Sequence, residues 1–456
     1  MTITQTLSEW ACGLRFEDLD APAIEAAKRF LYDSIGCALG GYRQEDCEWL
    51  LHHLMEMGGA DHCTCIGGGH RTSVLNAALF NALAIRAMDY NDIYWKADPC
   101  HPSDIIPAAT SIAEWKGLSG KELIVGIVLA YEMEMRYCEA GEPGIREKGW
   151  HHATLTAFVS PMVAARMLKL DAARMQHAIG ISASHSCTLG AVTAGKLTMM
   201  KNTVDPLATQ AGVQAALLAE KGYTGPEHVV DGKEGLTHCF GPKWHLNRLT
   251  DGLGKGFKIV ECGMKFYPIE ALSHAPTTAT LKLVHEHDIQ PVDVKEIRVE
   301  TIARAADILS DPAKYRPKSK ETADHSLPYC LAVAVADRQV TPRQFENARI
   351  QDPALHPLMD AVKAVANPEF ESLFPAKQPS RVTITLRNGQ SFSERVDVPK
   401  GDYRDPGSME DIEVKFNALA GGKFSEARCR RIRDTIMGLD SLKNSAELMT
   451  LLVADR

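Results

Sequence analysis

From residue 20 onward the apolar positions of the chain recur with helical spacing. In the stretch Asp20 to Gly36, Ile24, Ala27, Leu31 and Ile35 share one face, Asp20 stands where a cap belongs, and Pro22 suits a first turn. Ala-rich runs of the same period follow at Ser73 to Met88, Ile105 to Trp115, Lys121 to Ala140, Leu155 to Leu168, Ala172 to Ser184 and Asp205 to Gly222. Small residues on so many faces predict close helix packing in a large bundle. The pattern changes near Gly252-Leu253-Gly254. Val294 to Ile302 and Arg381 to Leu386 alternate as strands do, and Arg387-Asn388-Gly389-Gln390 reads as a turn into Ser391 to Val396. Helical runs around Tyr329 to Asp337 and Pro357 to Ala366 lie between them. These changes predict helices over residues 1–260, an α+β domain over 261–397, and a helical tail over 398–456 that packs back on the first domain.

Composition narrows the function more than the fold. Of 456 residues, 50 are Lys or Arg and 58 are Asp or Glu, a net charge of −8 that argues against a nucleic-acid or membrane-surface binder. An anionic substrate must then meet a few local cations. The longest apolar run, Leu123 to Tyr131, stops at Glu132 and is too short to span a membrane. The first residues lack the basic and apolar regions of a signal peptide, so the expected location is cytoplasmic. The 12 cysteines are dispersed, which predicts reduced, buried thiols. The closest pair, Cys63 and Cys65, reads as strand packing just before a triple glycine. P-loop, dinucleotide-binding, nucleophile-elbow and zinc-protease signatures are all missing from the sequence.

Four segments carry polar groups that a bundle does not need for folding. Asp89-Tyr90-Asn91-Asp92 with Cys100-His101-Pro102 can present a carboxylate and an imidazole to one cleft, or be a solvated turn and a helix entry. Trp150-His151-His152 precedes an apolar helix, and its histidines either act or simply stand near a helix start. Met199-Met200-Lys201-Asn202 reads as a loop before a helix beginning near Asp205, where an ammonium either snorkels or helps bind an anion. Lys265, in Cys262-Gly263-Met264-Lys265-Phe266-Tyr267-Pro268, stands at the expected domain junction. Asp324-His325-Ser326 adds either a lid group or an Asp that caps the next helix.

In this order the segments resemble the MmgE/PrpD family of 2-methylcitrate dehydratase, cis-aconitate decarboxylase and iminodisuccinate epimerase. The resemblance rests on Asp89 to Asp92 with His101-Pro102, Gly149-Trp150 with His152-x-Thr154, Lys201 eleven residues before Gly212, Lys265 to Pro268, Ala323 to Tyr329, and Lys415-Phe416. It implies a mainly α fold: a large all-helical domain formed by both termini with an inserted α+β lid domain. It also implies a homodimer without metal or cofactor, acting on a small anionic carboxylate substrate. The catalytic residues it implies are Asp89, His101, His152 and Lys201, with Lys265, Tyr267, Thr154 and His325 binding substrate. Abstracting a proton next to a carboxylate requires a base and cations, and expelling water also requires an acid. His101 and His152 are expected to share the acid and base roles, Asp89 to orient an imidazole, and Lys201 and Lys265 to hold carboxylates. Ile93 replaces the family's usual Thr, and Leu272-Ser273-His274 departs from its dehydratase pattern, so a related acid is also a possible substrate. A hydro-lyase is the leading expectation, decarboxylation and epimerisation share its first step, and a non-catalytic binding protein is the remote alternative.

Overall fold

The computed structural model describes residues 2–194, 196–241 and 243–454. It contains two compact units: Met1–Ala194, Met199–Cys262 and Ser408–Arg456 make the first, and Gly195–Thr198 with Gly263–Gly407 make the second. Among the described residues, no helix is long and apolar enough to cross a membrane.

The first unit is a helical bundle. The helix Ala21–Gly41 starts where the cap signal puts it, with the Asp20 carboxylate accepting from Ala23 N–H at 2.8 Å and Pro22 in the first turn. The remaining expected helices form at Val74–Arg86, Ile106–Lys116, Gly120–Ala140, Ala153–Met167, Ala172–Ala183 and Met200–Glu220. Two more, Ile3–Gly13 and Glu45–Met57, were not singled out by the pattern. The second of these buries only Asp46, Cys47 and Leu54, too narrow a stripe to stand out. The unit is not wholly helical, because short ladders pair Cys63–Thr64 with Arg71–Thr72, Asp92–Trp95 with Pro99–Cys100, and Gly141–Glu142 with Lys243–Trp244.

The expected loop around Lys201 is helix instead. Met200–Glu220 begins five residues before the Asp205 start that the sequence suggests and carries Pro206 in its interior. Proline favours a first turn, which is why the sequence points to Asp205. Burial of Lys201, Asn202, Val204 and Asp205 supports the extra turn.

Small residues set the spacing in this unit. A Cβ added to Gly212 would lie 2.1 Å from Ser160 Oγ and 2.6 Å from Pro161 N on the neighbouring helix. Gly212→Ala is therefore expected to destabilise the protein by about 1–3 kcal/mol, since backbone must move to admit the methyl. Urea unfolding measures this, and a stability within 0.5 kcal/mol of wild type, about the scatter of neutral surface changes, would show that the helices part freely.

The second unit is built on a four-stranded sheet. Ser391–Val396 and Ser380–Leu386 pair antiparallel, as do Ser380–Leu386 and Val294–Thr301, while Val362–Ala366 runs parallel to Val294–Thr301. Val382 faces Val299 and Ile384 faces Ile297, and all four are buried, as the alternation predicts. The helix expected over Pro357 to Ala366 splits into a helix, His356–Ala361, and the edge strand Val362–Ala366. The apolar spacing of that run fits either state, and β-branched Val362 and Val365 take the strand once a partner is present. Residues 398–407, expected with the helical tail, lie in this unit, where Met264 N–H donates to Gly401 O at 2.7 Å.

Candidate active site

The helix Val74–Arg86 ends in a turn whose Asp89 takes φ of +50°. This left-handed geometry is uncommon outside glycine and places the carboxylate between two cations. Arg86 Nη1 lies 2.7 Å from Asp89 Oδ1, and Lys201 Nζ lies 3.3 Å from Asp89 Oδ2. Arg86 Nε also lies 3.6 Å from Asp104 Oδ2. The hairpin Asp92–Trp95/Pro99–Cys100 then returns the chain so that His101 meets the start of its own strand. His101 Nδ1 lies 2.6 Å from the Asp92 carbonyl. A carbonyl only accepts, so Nδ1 carries a proton and a neutral His101 has its basic lone pair on Nε2. The Asp92 carboxylate accepts from Ser103 N–H at 2.9 Å and Ser103 Oγ at 2.6 Å. Asn91 Nδ2 donates to Ser103 Oγ and to Asp104 Oδ1 at 2.9 and 3.1 Å.

His152 stands at the start of Ala153–Met167, its ring centroid 5.5 Å from that of His101. Its Nε2 is 3.4 Å from Asp205 Oδ2. The Thr156 hydroxyl donates to Glu134 at 2.6 Å and lies 3.3 Å from Asp205 Oδ1. Burial works to raise Asp205, but the neighbouring His152, helped by His151 and Arg86, holds it below the usual carboxylate range. His151 differs: Ala153 N–H donates to its Nδ1 at 3.2 Å, and burial with the neighbouring His152 pushes it well below the usual histidine range. It is a neutral imidazole.

Asp89 pairs with Arg86 and Lys201, Asp205 stands beside His152, and the Asp92 carbonyl serves His101. Thr154 uses its hydroxyl to hold a loop, accepting from Thr188 N–H at 2.9 Å. Around these groups burial pushes Asp92 up to about 6, and lifts Asp104 and Glu134 well above the carboxylate range. The buried acids Asp89, Asp92, Asp104, Glu134 and Asp205 outnumber the buried Arg86 and Lys201 beside them, so protons remain on some of them.

His151, His152 and Asp205 each offer one ligand atom within 4.8 Å of the others. Their ring geometry does not suit an ion, because the two imidazole centroids are 3.9 Å apart. Two imidazoles bound to one tetrahedral metal at about 2 Å hold their centroids roughly 5 Å apart.

The second unit holds its own polar cluster. Lys265 is buried, next to Met264. Tyr267 has its ring 5.5 Å from His274, and burial raises its hydroxyl above the usual tyrosine range against a hydrogen bond from Thr278. The Asp324 carboxylate takes His325 Nδ1 at 2.5 Å and Lys320 Nζ at 2.9 Å. It is not the cap of the next helix, because Ser326 caps Leu327–Asp337 by accepting from Tyr329 N–H at 3.0 Å.

Sequence reasoning did not single out Arg86 or Glu134 as functional, and read Asp205 as a helix start. A signal existed for two of them, since Glu134 and Arg86 interrupt apolar helical runs where a buried charge needs a partner.

The MmgE/PrpD N-terminal domain matches residues 5–248, and the MmgE/PrpD C-terminal domain matches residues 267–441. Cis-aconitate decarboxylase of Aspergillus terreus is 26% identical over 99% of this chain and 96% of its own length. Its Homo sapiens counterpart is 25% identical over 99% of this chain and 94% of its own length. The 2-methylcitrate dehydratase of Salmonella typhimurium is 22% identical over 92% of this chain and 91% of its own.

Proposed function

Because the chain belongs to the MmgE/PrpD family, we propose that it is a hydro-lyase of the 2-methylcitrate dehydratase type, acting on a small polycarboxylic acid. The observation that carries this reading is the pair of imidazoles with centroids 5.5 Å apart, one held by a backbone carbonyl and the other beside a carboxylate. His101, with its proton fixed on Nδ1 by the Asp92 carbonyl, is the base at Nε2. His152, 3.4 Å from Asp205, is the acid.

In this scheme His101 takes the proton next to a substrate carboxylate, the electron pair forms the C=C bond, and the hydroxyl leaves as water with the proton of His152. Lys201, 3.3 Å from Asp89, supplies positive charge for the enolate-like transition state. Lys265, Tyr267 and His325 are proposed as substrate-binding side chains of the second unit. A second reading, decarboxylation of cis-aconitate type, is favoured by the identity and coverage of the decarboxylase relatives. It replaces water loss by release of CO₂ and return of one proton to carbon, for which the acid alone suffices.

Incubation with 2-methylcitrate, citrate, cis-aconitate and iminodisuccinate in deuterated water separates these outcomes. Alkene formation with loss of water is the expected result. Release of CO₂ would establish the second reading, deuterium uptake without net change would mark an epimerase, and no reaction with any acid would overturn the substrate class.

A further inference from the structure

The helix Met409–Ala420 sends one buried cation to the back of the Asp89 turn. Lys415 Nζ donates to the Tyr90 carbonyl at 2.6 Å, lies 2.7 Å from Asp33 Oδ1, and sits 4.1 Å from the centre of the Tyr90 ring. Lys415 and Asp33 are both buried. The neighbouring Phe416 stacks on Tyr32 with centroids 4.3 Å apart, and Gly36 leaves the room it needs, since an added Cβ would come within 3.0 Å of Phe416 Cδ2. The ammonium is thus held between Tyr90 and the helix Ala21–Gly41.

The peptide it holds joins two parts of the candidate machinery. Tyr90 follows Asp89, whose positive φ needs support from its surroundings, and Asp89 receives Arg86 and Lys201. Two residues further on, the Asp92 carbonyl determines which nitrogen of His101 carries its proton. One turn therefore uses successive backbone and side-chain groups for opposite purposes: the Tyr90 carbonyl is anchored from behind, and Asp89 and the Asp92 carbonyl face the catalytic side chains.

We propose that Lys415 is a positioning residue for the proton-transfer site, acting through the Tyr90 carbonyl to fix both the Asp89 carboxylate and the tautomer of His101. Lys415 does not touch the reacting atoms in this scheme. The proposal rests on the lyase reading for its kinetic consequence but not for its structural one.

Lys415→Met keeps an unbranched apolar stem close to that of lysine and removes the ammonium. A misplacement of about 1 Å costs on the order of 10²-fold in rate, so kcat on the turned-over acid is expected to fall about 30-fold or more while KM changes less than about 3-fold. The second readout is the ¹⁵N spectrum of the histidine rings, in which His101 is expected to lose its single Nδ1–H tautomer. This readout needs no substrate, so it stands even if every tested acid proves inert. Asp33→Asn frees Lys415 from its counter-ion and is expected to give the same kcat-selective loss at about 5-fold. It also serves as the test if Lys415→Met does not fold. A Lys415→Met protein, or failing that an Asp33→Asn protein, that melts cooperatively, keeps the His101 tautomer and retains kcat within about 2-fold would overturn the proposal.

Discussion

Replacing His152 by glutamine is expected to lower turnover by about 10²–10⁴-fold, the usual contribution of a positioned general acid. Glutamine can still offer an N–H to Asp205, 3.4 Å from Nε2 in the wild type, but it cannot deliver a proton. The substitution also takes the imidazole away from the buried Asp205 carboxylate, so some loss of stability is expected, about 1–3 kcal/mol. The double variant His152→Gln/Asp205→Asn removes that uncompensated charge. It should recover most of the stability and none of the activity, which separates catalysis from folding. Steady-state kinetics and thermal melting of the two proteins give the answer. Turnover within threefold of wild type in His152→Gln would remove His152 from the acid role.

The largest effect on stability is expected at Arg86. Its guanidinium lies 2.7 Å from Asp89 and 3.6 Å from Asp104, both buried, and is one of the forces that hold the Asp104 acid down against burial. Removing one member of a buried ion cluster typically costs about 3–5 kcal/mol. Arg86→Met is expected to lose that much, as measured by urea unfolding near neutral pH. The pH dependence has a definite sign. Burial already raises Asp104 well above its unfolded value, so its contribution is favourable at low pH and is lost as pH rises through the folded value. Without Arg86 the folded value of Asp104 rises further, and the deficit should be larger at pH 8 than at pH 5. A deficit that shrinks as pH rises would contradict the assignment of Arg86 as the common counter-ion of Asp89 and Asp104.

Local signals were legible where the interaction itself is local. The Asp20 cap and Pro22 mark the start of Ala21–Gly41, and strand alternation identifies Ser380–Leu386 and its turn into Ser391–Val396. Residue types and their order along the chain also bring out Asp89, His101, His152 and Lys201, of which the structure joins Asp89 to Lys201 and sets His101 beside His152. The partners were not legible, because they are distant in sequence. Asp205 meets His152 from another helix, and nothing in its own neighbourhood distinguishes it from a helix-start residue. Of the cations beside Asp89, Arg86 is three residues away, whereas Lys201 comes from another helix and only the fold brings it there. The strand Val362–Ala366 illustrates the limit for backbone, since a five-residue apolar run takes its state from the strand beside it.

The bond from Lys415 to Tyr90 joins residues 325 positions apart. A ribosome producing this chain has already released Asp89, His101, His152 and Lys201 long before it makes Lys415. During that interval the Asp89 turn can form its local bond to Arg86, three residues away, while the support behind Tyr90 is still missing. Closure of such a long loop is slow relative to helix formation. The complete proton-transfer arrangement therefore matures after synthesis of the C-terminal segment, so a chain interrupted in the second unit carries every acid–base side chain and lacks the contact that aligns them.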